Sequence, residues 1–112
     1  EDDILSFISN YGWQVDDAPV EVRDVIIPES FDDVYNNYNQ IQLAQGFNLE
    51  KYAGMRVKRW TYIIRNYPGT LPTDDFIRIN ILVSDGVVIG GDVCSVKLDG
   101  FMHGFYLSTD GE

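Results

Sequence analysis

The chain contains one cysteine and one histidine, and both fall in the run GVVIGGDVCSVKLDGFMHGF, Gly86 to Phe105. With Asp92 two residues before Cys94, the stretch holds the residue types of a nucleophile, a base and an orienting carboxylate. That set would serve a thiol-dependent hydrolase using Cys94, His103 and Asp92. The turns decide whether it assembles. Asp99-Gly100 sits between β-rich runs, a strong hairpin signal. A two-residue loop there pairs Leu98 with Phe101, Val96 with His103 and Cys94 with Phe105. Side-chain alternation then places Cys94, Val96, Leu98, Phe101, His103, Phe105 and Leu107 on one apolar face.

Such a face predicts a core, where a thiol has its pKa raised and packs as a small hydrophobe. A catalytic thiolate needs an electropositive, partly open setting instead. Gly90-Gly91 suits a β-bulge, which would turn Asp92 off the Cys94 face. No strand–glycine–helix elbow lies nearby to supply an oxyanion hole. Cys94 and His103 are therefore read as structural, no catalytic residue is assigned, and the reading leans away from an enzyme.

Metal and phosphate chemistry find less support. One Cys and one His offer no paired zinc spacing, and Asp16-Asp17 and Asp74-Asp75 lack the alternating oxygen pattern of a calcium loop. Val88-Ile89-Gly90-Gly91-Asp92 precedes a strand rather than a helix, unlike a phosphate-binding loop. No metal, cofactor or cofactor-binding residue is expected.

The elements that would position these residues follow from periodicity. Ile4, Phe7, Ile8 and Tyr11 share helical spacing, with Gly12 as a C-terminal stop. Residues 19–27 read as a β-branched strand of undetermined place in the sheet. Ser30-Phe31-Asp32-Asp33 resembles a capping box opening a helix with the apolar stripe Phe31, Val34, Tyr35, Tyr38 and Ile41, closed by Gly46. Asn36, Asn37, Gln40 and Gln42 are expected to meet water. Residues 55–67 read as a strand inside the sheet, with Trp60, Tyr62 and Ile64 on one face and Val57, Thr61 and Ile63 on the other. Asp85-Gly86 predicts a two-residue hairpin loop pairing Ser84 with Val87. Trp13, Tyr52 and Tyr67, beside loops, are expected near the surface, and the Tyr35–Gln40 run offers a surface for a glycan or peptide.

The 112 residues, 45% of them apolar, suit a single domain, 1–112, with a core independent of disulfides. The net charge is −10, carried by the first half: residues 1–50 hold eleven acids against the one base Arg23, and residues 51–112 balance. An anionic front half disfavours nucleic acid and anionic lipid. It suits a solvated acidic face or a dock for a cationic partner, and Arg56, Lys58 and Arg59 mark a second docking surface.

The blocks IPESFDDVYNNYNQIQLAQGFNLEKYAGMRVKRWTYIIRNYP and ILVSDGVVIGGDVCSVKLDGFMHG, with YGWQVDDAPVEV before them, resemble an uncharacterised family. It is a domain-of-unknown-function family of small predicted lipoproteins and secreted proteins from clostridia and related Firmicutes. The resemblance runs from about Leu5 to Phe105. It implies a domain that is extracytoplasmic, secreted or cell-envelope associated, with membrane attachment only through an N-terminal lipid anchor. The opening Glu1-Asp2-Asp3, without Met, fits a chain trimmed from such a precursor. The family carries no activity to transfer.

The expected fold is α+β, an antiparallel sheet of four to five strands with two helices on one face, in the order α-β-α-β-β-β-β. The expected function is a non-enzymatic binding or interaction domain for a protein, peptide or glycan at the cell envelope. A domain that spaces or caps a larger assembly is a further possibility.

Overall fold

The computed structural model describes residues 2–107. Helix α1 (Asp2–Asn10) has acids in its first turn and buries Ile4 and Ile8, one turn apart. It ends where Gly12 takes φ +87° and its N–H reaches the Ser9 carbonyl. Trp13 follows and is buried, its indole N–H donating to the Phe105 carbonyl at 2.8 Å.

Strands β1 (Glu21–Ile26), β2 (Arg56–Ile63), β3 (Ile77–Ser84), β4 (Val87–Ser95) and β5 (Met102–His103) form one antiparallel sheet in sequence order. The expected class and element order therefore hold, and the 19–27 strand is the edge beside β2. Helix α2 (Asp33–Ala44) lies between β1 and β2 in sequence, followed by a 3₁₀ turn, Leu49–Tyr52. Its cap is Asp32, not Ser30: the Asp32 carboxylate accepts from the Tyr35 N–H at 2.8 Å, so the helix starts two residues late. Phe31, left outside, packs its ring on Tyr35 with centroids 4.7 Å apart.

Adjacent residues of β3 mark the two faces. Ile79 and Ile81 point into a core with Tyr62, Val93, Phe105 and the α1 residues Ile4 and Ile8. Leu82 points the other way, to Ile27, Leu49, Val57 and Ile89, against which Tyr35 and Tyr38 of α2 pack. The helices thus lie on opposite faces rather than sharing one. The reason is that β2 and β3 are apolar on both faces, and each face needs a cover.

The hairpin at Asp85-Gly86 has the expected register, Ser84 opposite Val87, with both turn residues at positive φ. The one at Asp99-Gly100 does not. Val93 pairs with His103 and Cys94 with Met102, and the Ser95 N–H donates to the Phe101 carbonyl. The loop is therefore longer, and the pairing is displaced by an odd number of residues, which moves His103 to the face opposite Cys94. Val96 and Leu98 face solvent, Leu98 at 95% exposure, instead of joining the core.

A bulge interrupts β4 near the expected glycines. Leu82 pairs with Gly90 but Val83 with Val88, so Ile89 is the extra residue. Lying upstream of Asp92, it leaves Asp92 and Cys94 on one face, the α2 side. Gly91, at φ +150°, could not carry a side chain, because a Cβ would collide with the Asn80 carbonyl and the Phe105 ring.

Candidate functional site

Polar residues on the α2 side of the sheet stand in one row. Glu21 lies opposite Thr61, Thr61 opposite Asn80, and Asn80 opposite Asp92, so four strands contribute to one ladder. The Thr61 hydroxyl donates to the Asn80 carbonyl oxygen at 2.7 Å, and the Asn80 amide donates to Asp92 at 3.2 Å. From α2 above, the Tyr38 hydroxyl donates to the other Asp92 oxygen at 2.7 Å. Every bond in this chain points toward the carboxylate, which is only 2% exposed. Buried polar groups that are satisfied in this way define one conformation.

Burial pushes the Asp92 carboxyl above the ordinary carboxylate range, although the bonds from Tyr38, Asn80 and Cys94 pull the other way. The same burial, with Asp92 close by, drives the Tyr38 phenol well above its usual value. Tyr38 therefore stays a donor. Among the described residues, Asp92 takes part in no ion pair.

Asp92 and Tyr38 open onto a groove of about 510 Å³ between α2 and the sheet. Its volume lies in the range of small-molecule sites, and apolar walls with a few convergent polar groups are their usual make-up. Val25, Leu82, Ile41 and Met102 supply apolar wall, and Arg59 and Asn80 supply polar wall. Val34, expected in the packed stripe of α2, is instead 76% exposed at this groove. Arg59 reaches Glu21 at 3.3 Å, while its Nε is buried without a hydrogen-bond partner among the described residues.

The far end of α2 is held by side-chain amides. Gln42, expected in water, is fully buried, and its Oε1 accepts from the Gly91 N–H at 2.8 Å. Gln45 accepts from the Phe105 N–H at 2.6 Å and donates to the Gly91 carbonyl at 3.3 Å. Buried Asn39 accepts from the Leu49 N–H at 2.8 Å. Gly90 leaves room for this docking, since a Cβ there would lie 2.8 Å from the Gln42 amide oxygen. Within the Tyr35–Gln40 run, Tyr35, Tyr38 and Asn39 face the protein, while Asn36, Asn37 and Gln40 are exposed.

The structure does not bring the sequence-marked residues into a triad. Cys94 sits beside Asp92, with the Asn80 amide 3.7 Å from its sulfur, and burial together with Asp92 pushes the thiol up to about 11. His103, across the sheet, hydrogen-bonds Tyr67 Oη through Nε2 at 2.8 Å. Its Nδ1 donates to the Gly104 carbonyl at 2.7 Å, so in the neutral ring Nε2 accepts from the tyrosine. Tyr67 stacks between Trp13 and Phe101, and neither Tyr52 nor Tyr67 is fully exposed.

The expected basic surface divides as well. Arg56 and Lys58 alternate with Trp60 on the α1 side, whereas Arg59 faces the groove. Lys58 pairs with Asp24 at 2.9 Å and Arg65 with Asp16 at 2.8 Å, so the acidic first half is stitched to bases of the second. Among the described residues no group of three or more His, Cys, Asp or Glu side chains could hold a metal ion. No helix of those residues is long and apolar enough to cross a membrane.

Asn80 and Thr61 go unmarked as site residues in the sequence reading, and Arg59 and Tyr38 figure there only within the basic surface and the Tyr35–Gln40 run. The available signal was a lone polar residue inside each apolar strand, Asn80 in RINILV and Asp92 in VVIGGDVC. A family model described as a domain of unknown function (DUF4830) matches residues 7–93. No curated protein and no solved structure matches the chain.

Proposed function

The chain belongs to the DUF4830 family, and from that premise we propose that it is a non-enzymatic binding domain. Its ligand occupies the groove between α2 and the sheet. The observation that carries this reading is the groove itself, apolar in its walls and ending on a buried, hydrogen-bonded carboxylate. The alternative, a thiol-dependent hydrolase, needs Cys94 and His103 within reach of one substrate, and the sheet stands between them. A thiol held near 11 also supports binding over nucleophilic attack.

The domain acts outside the cytoplasm, secreted or attached to the envelope through a lipid anchor on its precursor. Support for this placement is the resemblance of its sequence blocks to small clostridial lipoproteins and secreted proteins. Fractionation of producing cells tests it, and recovery of the protein in the cytoplasm alone would refute it.

Binding is tested by a thermal-shift screen of small molecules, peptides and glycans on the wild type and on Asn37→Trp. Asn37 lines the groove mouth from the exposed side of α2, so the indole blocks entry without touching the core. A true ligand raises the wild-type melting temperature and leaves the variant unmoved. Ligands that stabilise both proteins equally would place the site elsewhere.

A further inference from the structure

The groove carries two charged groups, and they are unequally matched. Arg59 is offset by Glu21, whose carboxylate is 3.3 Å away. Asp92 has hydrogen-bond donors on both oxygens but no cation within ion-pair distance among the described residues. A buried carboxylate satisfied only by neutral donors leaves a negative potential at the groove floor. Tyr38, Asn80 and Cys94 occupy three of its four lone-pair sites, which leaves one for another donor. Tyr35 and Tyr38, edge to face at 5.7 Å, line the same groove and present π-systems that favour a cation. The net charge of −10 draws cations toward the molecule and repels anions. Val25, Ile41, Leu82 and Met102 meanwhile offer an apolar bed.

We propose that the groove binds a small primary amine on an apolar body, its ammonium paired to Asp92 and its hydrocarbon against Leu82, Ile41 and Met102. The proposal rests on the reading of the groove as the binding site and deepens it to a ligand class. A volume of about 510 Å³ fits a free small molecule rather than a folded partner.

Three probes of equal length, n-hexylammonium, n-hexanol and n-hexanoate, separate the possibilities by NMR titration of the wild type, Asp92→Asn and Asn37→Trp. Hexylammonium is expected to shift amides around Asp92, Tyr38 and Leu82 and to bind at least tenfold more tightly than either other probe. Asp92→Asn should cost that probe tenfold or more and leave hexanol unaffected, while Asn37→Trp abolishes binding of both.

A pH series gives the same answer without a variant. Hexylammonium affinity should fall as acid protonates Asp92, while hexanol affinity stays level. Facing Asp92 are Tyr38 from α2, Arg59 from β2 and Cys94 from β4. The phenol and thiol are pushed up, so neither ionises below neutrality, and Asp92 is the carboxyl of this group. Equal binding of hexanol or hexanoate at the same residues would overturn the amine assignment and leave the binding reading standing. Failure of all three probes to shift groove residues would overturn both.

Discussion

Two side chains on the α2 side of the sheet respond to pH in opposite experimental senses. The Cys94 thiol, pushed up to about 11 by burial and by Asp92, stays protonated at neutral pH. Alkylation of the native protein should be slow at pH 7 and rise steeply only toward pH 11, and stopped-time mass spectrometry would follow it. A midpoint near or below the ordinary thiol value would bring the nucleophile back into consideration. Asp92 has a folded-state pKa above its unfolded one, so the native chain holds this proton more tightly. The corresponding stability is fully present below the ordinary carboxylate pKa, about 4, and is lost as pH rises through the raised value. Asp92→Asn removes that dependence. Denaturant midpoints should therefore show the variant gaining on the wild type as pH climbs from about 3.5 to 7.

The elements differ in how openly the sequence announced them. The Asp85-Gly86 hairpin was legible because a two-residue loop with both residues at positive φ admits one register. Asp99-Gly100 carries the same dipeptide, but Gly100 bonds back to the Lys97 carbonyl inside a longer loop. A local motif cannot report that extra length, and the odd displacement put His103 on the wrong side. Gln42 was misplaced for a related reason: its partner, Gly91, lies 49 residues away and becomes visible only when α2 docks. The polar ladder needs the register of four strands and was beyond reach. Gln42→Ala should cost about 1–3 kcal/mol in urea unfolding, since it orphans the buried Gly91 N–H. Gly91→Ala should cost about 3 kcal/mol, because the methyl group meets backbone and an aromatic ring together.

On the scale of the whole molecule, the sequence gives a charge asymmetry whose meaning changes in three dimensions. Arg65, Lys58 and Arg59 of the second half each pair with an acid of the first. The four ion pairs among the described residues are largely exposed, so each adds little stability. The remaining excess of acids repels itself, and added salt should raise the melting temperature by a few degrees through screening. A melting temperature unchanged between low salt and 0.5 M would show that the excess is too dispersed to matter. Phe105 joins the α1 core cluster from the end of the chain, fully buried and touching Phe7, Tyr11 and Phe47. Phe105→Ala should cost about 3–5 kcal/mol, read from chemical denaturation.

That aromatic meeting point also has a mechanical side. Phe7 and Phe105 lie 5.2 Å apart, and Tyr11 and Tyr106 4.9 Å apart, so the last described residues pack against the C-terminal half of the first helix and the turn after it. Tension applied through both ends would load these ring contacts one after another, as in peeling tape, before any strand is sheared. The domain would yield at low force from that corner while the groove under α2, on the far side of the sheet, stayed intact.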